Sequence, residues 1–164
     1  MIRKAQREDI PLIQSLAKQS WNSHYLGIIS QEQIDYMLGM MYSDEELNQH
    51  FENPNYHYYL MLNDGVEVGF MGFEIGYEPQ TTKLHRLYLL AEAKGKGLGK
   101  VVIDFLKREV KSHRDKSIIL NVNKRNPSFN FYKSQGFEVE QEVVLEVGEG
   151  FVMDDYIMKI AIEI

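Results

Sequence analysis

The 164-residue chain contains no cysteine. That removes disulfides, thiolate metal sites and cysteine nucleophiles at once, and it agrees with a reducing compartment. No apolar run approaches the about 20 residues that a membrane-spanning helix needs. The opening stretch "MIRKAQREDIPLIQ" lacks the apolar centre of a secretory signal. A soluble, cytoplasmic protein that does not engage a membrane is expected. An excess of basic residues is missing too. The formal net charge is −6, which argues against general nucleic-acid binding, where a basic face is the electrostatic footprint. Linkers, low-complexity tracts and internal repeats are also lacking, so one domain spanning residues 1–164 is expected, long enough to bury a core of its own.

What is present is a regular alternation of elements. Arg3 to Glu8 reads as a short strand and turn. Asp9 is placed to cap a helix with Pro11 in its first turn, and Leu12, Ile13, Leu16 and Ala17 share one helical face. The stretch Trp21 to Ile28 interrupts that pattern. Ser30 with Gln33, and Ser43 with Glu46, form two capping boxes that open two further helices. Asp64-Gly65 between two strand-like runs signals a hairpin. An apolar strand, Leu84 to Leu90, leads through "AEAKGKGLGK" into a helix with Val102, Ile103, Phe105, Leu106 and Val110 on a broad apolar face. Ser117 to Asn123 reads as a buried strand, Asn126-Pro127 as the start of a short helix, and Gly136 as its left-handed end. Two strands, Val139 to Val147 and Phe151 to Ile162, close the chain. Helices first, then a meander, a β-α-β unit and a hairpin define an α+β (mixed α/β) domain.

The stretch Lys94 to Lys100, "KGKGLGK", carries the chemistry. A turn running straight into a helix exposes unpaired backbone N–H groups, to which the helix dipole adds partial positive charge. Glycine lets the backbone approach a ligand closely. Phosphate or pyrophosphate is the natural guest. The spacing lacks the Gly-Lys-Ser/Thr ending of a Walker A loop and the order of a dinucleotide fingerprint. A pyrophosphate ligand that needs no metal fits better, and coenzyme A is one.

With those residues in view, the sequence resembles the GNAT superfamily of acyl-CoA-dependent N-acyltransferases. Its first signature, a strand followed by Gln/Arg-x-x-Gly-x-Gly/Ala and a helix, is matched by "LHRLYLLAEAKGKGLGKVVIDFL", with Gly97 and Gly99 at the small positions and Lys94 at the usual Gln/Arg. Its second is matched by "ILNVNKRNPSFNFYKSQGF", Ile119 to Phe137. The ending "GEGFVMDDYIMKI" more loosely resembles bacterial polyamine-type acetyltransferases. The resemblance implies a mostly antiparallel central sheet with splayed parallel central strands, flanked by helices. It also implies acetyl-CoA as cofactor and acetyl transfer to a primary amine of a small molecule or peptide. A non-catalytic acyl-CoA-binding sensor of the same fold is the alternative.

Residue by residue, the resemblance places the pyrophosphate on the amides of Gly95, Lys96, Gly97, Leu98, Gly99 and Lys100, beside Lys94. The pantetheine arm lies along Leu87, Tyr88 and Leu89, and Asn126 either bonds the arm or fixes the loop that follows it. Tyr132 is the acid for the departing thiolate. A primary amine with a pKa near about 10.4 is mostly protonated at pH 7, so a base is required. His85 is the first candidate and Glu74 the second, and a backbone N–H near Leu87 would serve as oxyanion donor. The acceptor would meet Trp21, His24, Tyr25, Tyr36 and Met37 on the helical side and Asp154, Asp155 and Tyr156 on the last strand. No metal site is expected, and a homodimer is compatible with the chain.

Overall fold

A computed structural model describes residues 1–163. Its seven strands and five α-helices form a mixed α/β fold, a mostly antiparallel sheet with one parallel pair, flanked by helices. The strand order is β1-β2-β3-β4-β5-β7-β6. The chain packs as two compact units. The first comprises Met1–Glu74 and His85–Val102, the second Ile75–Leu84 and the chain from Ile103 on.

In the first unit β1 (Ile2–Lys4) pairs antiparallel with β2 (Tyr56–Asn63), and β2 with β3 (Val66–Glu78). The β2–β3 turn is Asp64-Gly65 with φ of 51° and 79°, the doubly left-handed geometry of a two-residue hairpin loop. Helix α1 (Ile10–His24) carries Pro11 in its first turn, where the missing N–H costs nothing. Ile10, Ile13, Leu16, Ala17, Ser20 and Trp21 form its buried stripe. The helix therefore runs through Trp21 to His24, where the sequence pattern suggested an interruption. Trp21 sits eight residues after Ile13, on the same face, and only 2 % of it is exposed. Asp9 does not cap this helix. Its carboxylate instead accepts two bonds from Arg3 (both 3.0 Å) and one from the Gln6 N–H (2.8 Å). Those bonds hold it well below the usual carboxylate range, the Arg3 bond being the largest cause.

Helix α2 (Gln31–Met41) opens with the Gln33 N–H donating to Ser30 Oγ (3.1 Å), and α3 (Asp44–Glu52) with the Glu46 N–H donating to Ser43 Oγ (3.2 Å). Three acids, Asp44, Glu45 and Glu46, fill the first turn of α3, the end at which the helix dipole favours negative charge. Ile34, Met37 and Leu47 are buried, each contributing about 1.5–3 kcal/mol by removal from water.

In the second unit β4 (Thr81–Leu89) pairs parallel with β5 (Ser117–Asn123) from Thr81↔Ser117 to Leu84↔Leu120. Strand β7 (Phe151–Ala161) lies antiparallel between β5 and β6 (Glu138–Gly148). Helix α4 (Leu98–Ser112) passes from the first unit into the second, and its Ile103, Leu106 and Val110 are fully buried. Asp115, just before β5, ties the end of β3 to the start of β4. Its carboxylate accepts from the Gly76 N–H (2.8 Å) and the Thr82 hydroxyl (2.7 Å). Helix α5 (Ser128–Ser134) ends at Gly136, whose φ is 102°.

Candidate active site

The glycine turn lies in the first unit. After a single 3₁₀ turn at Ala91–Ala93, Gly95 and Gly97 take φ of 79° and 73°, a region costly for any residue with a Cβ. A Cβ on either would meet nothing within 4 Å. Local conformation therefore demands these glycines, and the space beside them is open. Gly99 differs: it is inside the first turn of α4. The bond from the Val101 N–H to the Gly97 carbonyl (3.3 Å) is the first of that helix, so the amides of Leu98 and Gly99 precede its hydrogen-bond ladder. A left-handed turn, open space and a helix start fit a bound pyrophosphate.

Leu87, Tyr88 and Leu89 follow in β4, half-buried. Strand β3 presses closely on them. A Cβ on Gly69 would fall 2.4 Å from the Tyr88 carbonyl oxygen and 2.8 Å from Leu89 Cδ2. Tyr88 meets Trp21 (ring centroids 5.9 Å), Phe70 (5.7 Å) and the edge of His24 (5.9 Å), and Trp21 also meets Tyr25 at 4.4 Å. Trp21 and Tyr25 are thus core residues, while Tyr36 is half-buried on α2. His24 is pushed down to about 4, by burial first and by the Lys94 charge second.

The two candidate bases form one unit. His85 Nε2 lies 3.1 Å from Glu74 Oε1, with side chains 22 % and 25 % exposed, and the His85 ring stacks on Tyr56 (5.1 Å, 13°). The next residue, Arg86, is buried on the same cluster. It donates from Nη1 to Tyr58 Oη (3.1 Å) and covers the Tyr42 ring (4.3 Å). Neighbours in a regular strand point to opposite faces, yet His85 and Arg86 engage Tyr56 and Tyr58, which share a face of β2. Arg86 and its ring of tyrosines were not anticipated as site residues. The signal was an arginine inside an apolar strand, "LHRLYLL".

His50 joins this cluster, stacked on Tyr56 (4.1 Å, 4°) and bonded to Tyr58 Oη (2.8 Å) and Glu46 Oε1 (3.1 Å). Burial, and then the Arg86 charge, push it down to about 4. The unfolded chain, with histidine near 6.5, binds the extra proton between about pH 6.5 and 4, so stability falls with pH through that window. His50→Gln should lose about 2 kcal/mol less than the parent between pH 7 and pH 4. Urea unfolding at the two pH values measures this, and an equal loss in both proteins would contradict it.

The remaining candidates lie in the second unit. Asn126 Oδ1 accepts from the Ser128 N–H (2.9 Å) and so fixes the turn into α5. Helix α5 itself starts at Ser128, one residue later than the sequence pattern suggested. Tyr132 is 8 % exposed, packed against Phe131 and Phe137. Asp154 is exposed and Asp155 buried, as alternate positions of β7. Asp154 is 54 % exposed and ion-paired with Lys124 (3.0 Å), which also holds Glu142 (2.9 Å). Asp155 is buried, its Oδ1 has no hydrogen-bond partner, and burial raises its carboxyl above the usual range against the opposing pull of Asn121 and Lys83.

A sheet of this order with a glycine turn feeding α4 is the fold expected of the acyltransferase family, and the comparisons show that family. Residues 25–157 match the acetyltransferase (GNAT) domain, and the chain belongs to that family of acetyltransferases, whose acyl donor is acetyl-CoA. It is 30 % identical to a spermidine N(1)-acetyltransferase of Thermoplasma acidophilum over 156 residues, covering 93 % of this chain and 94 % of that one. Among solved structures it resembles the PaiA N-acetyltransferase of Thermoplasma acidophilum in complex with coenzyme A (TM-score 0.82, 29 % identity, 97 % and 96 % coverage). A GCN5-related N-acetyltransferase from Rhodopseudomonas palustris shares the fold at 15 % identity (TM-score 0.82, 98 % and 94 % coverage).

Proposed function

We propose that this protein transfers the acetyl group of acetyl-CoA to a primary amine of a polyamine-like small molecule or a peptide, by direct attack within a ternary complex. The observation that carries this reading is the open left-handed turn at Gly95 and Gly97 leading into α4. Bound there, acetyl-CoA supplies an activated thioester. The amides at the start of α4 hold its pyrophosphate, and Leu87 to Leu89 offer main-chain groups to its pantetheine arm.

The protein's own groups then move the protons. His85, steadied by the Glu74 carboxylate and the Tyr56 ring, takes a proton from the acceptor ammonium and leaves a neutral amine to attack. The Leu87 N–H receives the charge that develops on the carbonyl oxygen. Tyr132 gives its proton to the departing sulfur and is restored by the second N–H proton that the attacked nitrogen loses as the amide forms; phenol and thiol pKa values of about 10 and 8.5 are close enough for this. Asp155, with its unpaired oxygen, attracts the cationic acceptor. The products are an N-acetylated amine and free coenzyme A.

The test is coenzyme A release, detected as thiol, across a panel of amines. Tyr132→Phe should lower kcat by about 10²-fold or more while leaving acetyl-CoA affinity unchanged in thermal-shift titration. Equal rates in variant and parent would remove Tyr132 from the reaction. Acetyl-CoA binding with no release from any amine would instead mark a sensor of the same fold.

A further inference from the structure

Arg86 has no part in the proton transfers described above, yet its setting is elaborate. It is 6 % exposed. Among the described residues no carboxylate lies within ion-pair distance of its guanidinium. A buried arginine is ordinarily matched by a carboxylate in its fork, because an unpaired buried charge is costly. Here the matching is indirect. Arg86 Nη1 donates to Tyr58 Oη, the Tyr58 hydroxyl donates to His50 Nδ1, and His50 Nε2–H donates to Glu46 Oε1. Two assignments of protons satisfy all three bonds, a neutral His50 protonated on Nε2 and an imidazolium that donates from both nitrogens. Burial favours that neutral form. The carboxylate at the end of this chain of bonds, Glu46, is 41 % exposed and two side chains away from the cation.

The result is a buried cation that uses one of its donors. A guanidinium has five N–H donors, and the bond to Tyr58 is the one it makes within the described protein. Four more buried polar atoms of this unit, Ser20 Oγ, Trp21 Nε1, Tyr42 Oη and Tyr56 Oη, have no partner in full hydrogen-bond geometry, and Tyr56 Oη faces Tyr58 Oη. Tyr42 Oη faces the indole N–H without reaching hydrogen-bond geometry. Buried polar groups in native proteins are nearly always satisfied, so this concentration of unmet donors around a positive charge marks a place for an anionic guest. A planar fork is the geometry that binds a carboxylate by two parallel bonds.

We propose that Arg86 and its surrounding tyrosines form a carboxylate subsite for the acceptor, so that the acceptor is an amine also bearing a carboxylate, as in an amino acid or peptide, and not a bare polyamine. The proposal rests on the acetyltransferase reading. His85 and Glu74, which handle the amine, belong to the same cluster through the Tyr56 ring. The second ammonium of a polyamine would meet a like charge at Arg86, whereas a carboxylate there replaces the missing fork partner.

A matched pair of acceptors tests this: 5-aminopentanoate and 1,5-diaminopentane, which differ in whether the far end is a carboxylate or an ammonium. The parent should favour 5-aminopentanoate in kcat/KM by at least about tenfold. Arg86→Met should bring the ratio of the two rates to near one, and Arg86→Lys, with charge but no fork, should leave an intermediate ratio. Both acceptors are assayed on one preparation, so a partly unfolded variant cannot alter the ratio. Thermal protection by glutarate in the presence of coenzyme A gives a second readout that needs no turnover. Protection of the parent but not of Arg86→Met supports the subsite even if no amine reacts, in which case the acetyltransferase reading alone has failed. A preference for the diamine, a ratio unmoved in Arg86→Met, or equal protection of both proteins by glutarate overturns the proposal.

Discussion

Gly97→Glu should yield a folded protein that no longer binds acetyl-CoA. The position has φ of 73°, so any side chain there strains the turn by about 1–2 kcal/mol. No protein atom lies within 4 Å of the new Cβ, and a carboxylate at a helix start is electrostatically welcome to the helix itself. The fold therefore tolerates the change. The ligand does not, because the glutamate places bulk and negative charge where a pyrophosphate would lie against the first amides of α4. Acetyl-CoA affinity should fall by about 10²-fold or more, which removes about 2.7 kcal/mol of ligand stabilisation at a concentration that is 100 times the parental dissociation constant. Gly97→Ala separates the two causes. It carries the strain without the charge and should lose about tenfold, equivalent to about 1.4 kcal/mol. Thermal-shift titration with acetyl-CoA reads both. A folded Gly97→Glu that keeps parental affinity would move the pyrophosphate elsewhere.

Local chemistry was the legible part of this fold. The two serine caps, the Asp64-Gly65 turn, the buried run of β5 and the left-handed Gly136 each rest on a few adjacent residues, and each lies where its residues place it. Two misreadings involve distant partners. Asp9 looked like a helix cap because nothing local showed that Arg3 and the Gln6 amide would take its carboxylate. The polar residues around Trp21 suggested a break, but the indole is buried on the face begun by Ile13 and against Tyr88, and that contact overrides local pattern. The Arg86 cluster draws on Tyr42 just after α2 and on α3, β2 and β4, and no short motif encodes it. Its one trace in the sequence is a cation in an apolar strand.

Gly69→Ala should be among the most damaging small substitutions in the first unit, although it adds a single methyl group. Its Cβ would lie 2.4 Å from the Tyr88 carbonyl oxygen and 3.2 Å from Leu89 Cα. Both are backbone atoms, so no rotamer change relieves the contact. The strands must part, and the adjoining bond from the Leu90 N–H to the Val68 carbonyl (2.8 Å) is strained with them. Overpacking of this kind costs about 1–3 kcal/mol, or about 3–10 °C in melting temperature for a domain of this size. The movement falls on Tyr88 and Leu89, the segment proposed to pair with the pantetheine arm, so acetyl-CoA affinity should fall as well as stability. Gly39→Ala is the contrasting case. That glycine is exposed within α2, and its Cβ would meet nothing within 4 Å. Helix propensity alone should then stabilise the protein by about 0.5–1 kcal/mol, with acetyl-CoA affinity unchanged. Urea unfolding and acetyl-CoA titration of the two variants side by side check both expectations. A Gly69→Ala protein with parental stability would mean that β3 does not press on β4 at this point. One that is destabilised but binds acetyl-CoA with parental affinity would detach Tyr88 and Leu89 from the cofactor.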